Sequence, residues 1–163
     1  REAAEHSEMW LFVVPTQFVR QVFTDLKELD IEPRHICYAA KGFEISTMSR
    51  ISEIAEEILP QPTYSVLSGP SHAEEVIKQM PTAVVAASRD EKAAKAWQQM
   101  LSAPYLRIYT SHDVAGVEVG GAVKNVIAIA SGIAHTMGLG DNSTAALVSR
   151  GLAEIMRDRK SVV

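Results

Sequence analysis

Asp113-Val-Ala-Gly-Val-Glu-Val-Gly-Gly-Ala-Val-Lys-Asn-Val-Ile-Ala-Ile-Ala-Ser-Gly-Ile133 is long, apolar and rich in small residues, and Lys124 is its one cation. The pattern predicts a single long helix from Asp113 to about Ala134. A lysine inside it has two readings. Desolvation disfavours the ammonium form and pulls the pKa toward neutrality, which suits a general acid/base. Alternatively, the stem packs on apolar surface while the head snorkels to water. Gly120 and Gly121 lie four and three residues before Lys124, on the same helical face. They weaken the helix, and the expectation is that they clear a channel beside the ammonium for a substrate.

Upstream, the pattern is different. Met9-Trp-Leu-Phe-Val-Val14, closed by Pro15, reads as a strand buried on both faces of a parallel sheet. Thr16 to Leu29 carries Phe18, Val22, Leu26 and Leu29 at helical spacing. His35–Ala40 is a second buried strand, followed by Lys41-Gly42. Thr47–Leu59 places Met48, Ile51, Ile54, Ala55 and Ile58 on one helical face, stopped by Pro60 and Pro62. Tyr64–Leu67 and Thr82–Ala87 are strands, and a short helix from Ser71 to Gln79 is predicted between them. Asp90–Leu101 is a helix capped by Ser88 or Asp90, and Leu106–Tyr109 is a further strand. The βαβα alternation predicts an α/β fold with a mainly parallel sheet. It stops at Tyr109. Downstream of the long helix come a turn at Gly138–Asn142 and a helix from Ser143 to about Met156, with Leu147, Val148, Leu152 and Ile155 inward. The expected organisation is a partial α/β domain over 1–110 and the start of an all-helical domain over 111–163.

Composition narrows the function classes. A net charge of −4 and a pI near 5.7 leave no basic footprint for nucleic acid. The single cysteine, Cys37, rules out an internal disulfide and a CxxC zinc site, and its apolar setting reads as a small buried hydrophobe. A reducing, cytoplasmic setting is expected. The longest apolar run is interrupted by Lys124 and by Gly116, Gly120, Gly121 and Gly132, so no membrane span is expected. Arg1–Glu8 reads as the polar end of a helix or loop, and both termini read as cuts through a longer protein. His6, His35, His72, His112 and His135 share no ligand spacing, and no metal site is expected. No nucleophile elbow is present. Gly116-Val-Glu-Val-Gly-Gly121 follows no strand of a βαβ unit and is not a dinucleotide fingerprint.

Ligands in open α/β sheets bind outside the carboxyl ends of the strands, which selects the loops after Val14, Ala40 and Leu67. Lys41 sits in the second, either as a partner for phosphate or carbonyl or as a solvated loop lysine. In the third, Ser68-Gly69-Pro70-Ser71 leads into the predicted short helix. Either its backbone N–H groups and Ser71 bind an anion, or Ser71 is an N-cap with Glu74 completing a capping box.

Val14-Pro15, Ala40-Lys41-Gly42, Leu67-Ser-Gly-Pro-Ser-His-Ala-Glu-Glu75, Met80-Pro-Thr-Ala-Val84, Val117-Glu-Val-Gly-Gly-Ala-Val-Lys-Asn-Val-Ile127, Gly138-Leu-Gly-Asp-Asn142 and Ser149-Arg-Gly-Leu-Ala-Glu154 occur in that order. The set resembles the bacterial NAD(P)-dependent glycerol-3-phosphate dehydrogenases over nearly the whole chain. The resemblance implies a Rossmann-like domain followed by a helical substrate domain. It also implies interconversion of dihydroxyacetone phosphate and sn-glycerol 3-phosphate with NAD or NADP. It makes Lys124 the catalytic acid/base, places Lys41 between nicotinamide and substrate, and gives Gly69, Ser71 and Asn125 to the substrate. Pro15, Lys41 and Ala73 go to the cofactor site. The implied partner is a small phosphorylated molecule, and a homodimer is the expected assembly.

Several features depart from the family pattern. The glycine-rich first turn has no counterpart here, nor have the later Asp and the Ser-Arg-Asn phosphate-binding run. Arg150 belongs to a different helix from that run's arginine. His72 replaces an aromatic or aliphatic residue, and Asp158–Val163 does not match. Two alternatives stay open: a hydroxyacid dehydrogenase of the related Rossmann-plus-helical group, and a fragment inactive in isolation with an exposed sheet edge.

Overall fold

The computed structural model describes residues 6–31 and 33–161. The expectation for Arg1–Glu8 therefore falls mostly outside the described residues, as does the end of the Asp158–Val163 tail. Five strands form one sheet in sequence order: β1 (Met9–Phe12), β2 (His35–Tyr38), β3 (Thr63–Ser68), β4 (Thr82–Ala87) and β5 (Leu106–Ser111). β1, β2 and β3 pair parallel, β3 and β4 antiparallel, and β4 and β5 parallel again. The sheet is thus α/β and mostly parallel, with one reversal. The carboxyl ends of β1–β3 share one end of the sheet with the starts of β4 and β5.

Side-chain alternation along the strands assigns the two faces. Ile36 and Tyr38 of β2 and Val66 of β3 face α1 (Thr16–Glu28), α2 (Ile51–Ile58) and the start of α5 (Val114–Thr136). They pack with Val19, Phe23, Ile54 and Val114 in one buried cluster. Cys37 points the other way and joins Val84, Ala86, Ile108 and Trp97, the last from α4 (Glu91–Leu101). Burying an aliphatic or aromatic side chain of this size contributes about 1.5–3 kcal/mol, so the two clusters clamp the helices to the sheet. Burial pushes the Cys37 thiol up to about 12, leaving it an inert core side chain.

Several expectations shift. The inward stripe of α1 is Thr16, Val19 and Phe23; Phe18 and Leu29 are exposed. The predicted stripe was also at helical spacing, but the helix is rotated so that its aromatic at Phe23 meets Phe12 and Tyr64. α2 begins at Ile51 instead of Thr47. Met48 lies outside it, exposed and at φ +58°. Turn bonds from Met48 N–H to the Glu44 carbonyl and from Glu44 N–H to the Ser49 carbonyl hold this segment non-helical. The short helix α3 spans only Ala73–Ile77. Its N-cap is His72, so Ser71 does not cap it, and a single short turn offers little of an anion-binding terminus. α4 is capped as expected, Asp90 Oδ1 accepting from the Lys92 N–H at 2.8 Å. α6 (Gly140–Ser161) starts three residues early, after Gly138 and Gly140 take positive φ. Leu152 of its expected inward face is exposed.

α5 begins where Asp113 Oδ1 accepts from the Gly116 N–H at 2.8 Å. At 23 residues it is long and apolar enough, by length and composition alone, to cross a membrane, contrary to the reading from its lysine and glycines. Here it packs on β3, β4, α2 and α6.

Candidate functional site

The end of β5 lies at the same end of the sheet as the start of β3, with β4 between them, and opposite the loops that follow β1, β2 and β3. α5 therefore starts low and runs back up. The ten helical steps from Val114 to Lys124 rise roughly 15 Å, close to the roughly 17 Å that β3 covers from Thr63 to Ser68. That match delivers Lys124 to the carboxyl end of β3, where its Nζ donates to the Gly69 carbonyl at 3.3 Å.

Lys41 reaches the same place from β2. Its carbonyl accepts from the Thr16 hydroxyl at 3.0 Å. Gly42 then takes φ +114°, a turn a side chain rarely allows. The next turn is fastened by Glu44, buried under Arg20: Arg20 Nε donates to Glu44 Oε1 at 2.8 Å and Nη2 to Oε2 at 3.0 Å. The Thr47 hydroxyl adds a bond to Oε2. Hydrogen bonding from Arg20 and then Thr47 holds the Glu44 carboxyl below its ordinary range.

Gly121 is where the two lysine-bearing elements touch. A Cβ there would lie 2.8 Å from Ser68 Oγ and 3.6 Å from Lys41 Cγ. Gly120, its neighbour, faces open space. The expected clearance beside the lysine is therefore corrected at Gly121, while Gly120 does leave open space. At Gly121 the space is filled by Ser68 and the stem of Lys41, and the missing side chain permits close packing. Gly69 is a similar case, since its Cβ would collide with the backbone of Ala83 and Val84 at 2.9 Å.

Lys41 and Lys124 thus converge, with no ion pair to either among the described residues. Lys41 is exposed as a whole residue, yet partial burial around its amine, and then the nearby Lys124 charge, lower its pKa. Gly69 is half-buried, while Ser71, Ala73, Asn125 and Pro15 are exposed. Ser71 follows Gly69 on the same loop, Ala73 opens α3, and Asn125 follows Lys124 on α5. Pro15 opens α1 at the end of β1, its carbonyl accepting from the Phe18 N–H.

Sequence reasoning missed the group that lies beneath these lysines. Glu118 is buried, with its side chain 7% exposed. The Tyr38 hydroxyl (3.0 Å) and the Ser52 N–H (2.9 Å) donate to its Oε1. The Ser52 hydroxyl (2.6 Å) and Arg50 Nη1 (3.2 Å) donate to its Oε2. Burial, then the Glu118 charge, keep the Tyr38 phenol well above its usual range and hence a donor. A carboxylate in an otherwise apolar helix was the available signal.

Comparisons with known proteins identify the family. Residues 1–94 match the family described as NAD-dependent glycerol-3-phosphate dehydrogenase N-terminus, and residues 113–161 match the corresponding C-terminus. A protein of Staphylococcus haemolyticus named glycerol-3-phosphate dehydrogenase (NAD(P)+) is 46% identical over 160 residues, 96% of this chain and 48% of its own length. One of the same name from Geobacter metallireducens is 47% identical over 159 residues, with the same coverage. The crystal structure of a glycerol-3-phosphate dehydrogenase from Coxiella burnetii superposes with a TM-score of 0.88 at 35% identity, covering 99% of this chain and 49% of that one. The chain spans about half the length of the curated relatives it matches. Across that half, this chain belongs to the NAD-dependent glycerol-3-phosphate dehydrogenase family.

Proposed function

We propose that this chain forms part of an oxidoreductase interconverting dihydroxyacetone phosphate and sn-glycerol 3-phosphate with NAD or NADP, a step serving glycerophospholipid synthesis in the cytoplasm. The observation that carries the reading is the convergence of Lys41 and Lys124 at Gly69 without a carboxylate partner. Two adjacent ammonium groups repel, and an anionic, oxygen-rich ligand relieves that repulsion. The ends of β1 and β2, where Val13 and Pro15 are exposed and Gly42 turns away, fit a cofactor lying across the strand ends.

The nicotinamide, when bound, supplies the hydride. Lys124 hydrogen-bonds the substrate's C2 oxygen and gives up its proton as the alcohol forms; in reverse, neutral Lys124 removes it. Lys41 adds positive charge beside the developing alkoxide. Gly69, Ser71 and Asn125 hold the substrate, and Pro15, Lys41 and Ala73 face the cofactor. The enzyme works on small molecules, as a homodimer.

The test is a chimera in which residues 1–161 replace the matched half of the Staphylococcus haemolyticus relative. Lys124→Ala should lower its turnover about 10²–10⁴-fold. Turnover within a few-fold of the parent chimera would remove the acid/base role. Activity on a 3-hydroxy acid but not on glycerol 3-phosphate would overturn the substrate.

A further inference from the structure

Glu118 receives more hydrogen bonds than any other side chain on α5, and its donors come from distinct parts of the fold. Tyr38 is the last residue of β2, three residues before Lys41. Ser52 and Arg50 stand at the start of α2, the helix that follows the Lys41 loop. Glu118 itself lies six residues before Lys124. One buried carboxylate therefore ties together the strand that presents Lys41, the helix that closes its loop and the helix that presents Lys124.

We infer that Glu118 is a positioning residue: by gathering Tyr38, Arg50 and Ser52, it fixes the rotation and height of α5 against β2, and so sets where Lys124 stands relative to Lys41.

The alternatives on α5 are weak. Its fully buried residues are few, Val114, Val119, Gly121 and Ala134, with Val117 partly buried against the core. Apolar packing is non-directional and tolerates sliding. Four charge-assisted bonds to one carboxylate do not, because each has a narrow range of length and angle. Gly121 sharpens the demand. With Ser68 Oγ and Lys41 Cγ so close to it, a small rotation of α5 either opens the contact or drives the helix backbone into Ser68. Arg50 is not left to Glu118 alone, because Glu53 Oε1 accepts from its Nη2 at 2.7 Å. That second partner holds the guanidinium in place and leaves Glu118 as the element that reaches across to α5.

The inference builds on the proposed site, but its test reads lysine chemistry in this chain instead of turnover, so either can fail alone. Lysines are acylated with limiting acetic anhydride at mildly alkaline pH, and mass spectrometry compares Lys41 with Lys92, exposed on α4. A lowered pKa means more neutral amine, so Lys41 should react faster than Lys92. Lys124 is the charged group facing Lys41; Glu44, on the same loop, is held by Arg20. Tyr38 and Arg50 are the titratable groups against Glu118.

In Glu118→Gln the amide presents N–H toward Arg50, the ties to α5 loosen, and burial of Lys41 and its proximity to Lys124 both decline. The Lys41/Lys92 rate ratio should fall several-fold while the chain still melts cooperatively. An unchanged ratio in a cooperatively folded variant overturns the inference. If Glu118→Gln does not fold, Tyr38→Phe decides, since it removes only the bond to β2. A lowered ratio there supports positioning, and an unchanged ratio refutes it.

Discussion

The two halves of α5 are built from similar residues and live in different surroundings. From Val114 to Lys124 the helix lies on β3 and β4, with Glu118 in its four hydrogen bonds and Gly121 against Ser68. From Asn125 onward its contacts are with α6, where Ile127 fills the space above Gly151. There Val126 is 69% exposed and Ile129 64%. The difference teaches where position is controlled. Polar groups with directional partners and a side chain deleted to allow contact sit in the half that carries the lysine. The other half meets α6 mainly through apolar side chains, which specify a position loosely. Lys124 stands at the boundary, held from one side.

Two neighbouring glycines offer the largest break in that contrast. Gly121→Ala puts a methyl 2.8 Å from Ser68 Oγ, on a short buried side chain with little room to retreat. Overpacking of this kind costs about 1–3 kcal/mol, partly offset by the better helix propensity of alanine. A net loss of about 1–2 kcal/mol is expected in urea denaturation. Gly120→Ala meets nothing within 4 Å and should instead gain up to about 1 kcal/mol. If both substitutions stabilise, α5 is not pressed onto the sheet at Gly121.

These glycines also show what was legible in the sequence. Periodicity located each strand and the helices between them, but the Met9–Val14 run is not buried on both faces, since β1 ends at Phe12 with Leu11 and Val13 exposed. It misjudged rotation at Phe18 and the start of α2 at Thr47, where tertiary bonds to Glu44 decide. Gly120-Gly121 read as a pair because their spacing to Lys124 is equivalent, yet only Gly121 meets another element. Lys124 stood out as a charge in an apolar run. Glu118 stood in the same run, but its meaning depends on Tyr38, Arg50 and Ser52, which are 66 or more residues away in sequence. No local pattern carries such a contact.

The anchored region should also respond to acid. Glu44 has a folded pKa below its ordinary value of 4.5 because Arg20 bonds to it. A depressed carboxyl stabilises the fold above its unfolded pKa, and that contribution is lost as pH falls through the folded one. The urea midpoint should therefore drop progressively below about pH 5. Glu44→Gln should cost about 1.5 kcal/mol at neutral pH and flatten this acid limb. An acid limb identical to that of the parent would mean that the Lys41 loop is not held by its carboxylate.

The smallest effect belongs to the outward half. Ile129→Gln removes a side chain with most of its surface already in water, so little apolar area returns to solvent on unfolding. Exposed substitutions of this type change stability by less than about 0.5 kcal/mol, and the urea midpoint should scarcely move. Ile129 lies five residues beyond Lys124, so a larger loss would mean that this face is covered in solution and that Lys124 is held from both sides. Repeating the measurement over a range of chain concentrations separates the sources. A loss that grows with concentration marks a second copy seated on Val126 and Ile129, whereas a concentration-independent loss marks packing within one chain. A change below the expected ceiling leaves the network at Glu118 as the feature that fixes the end of α5 carrying the lysine.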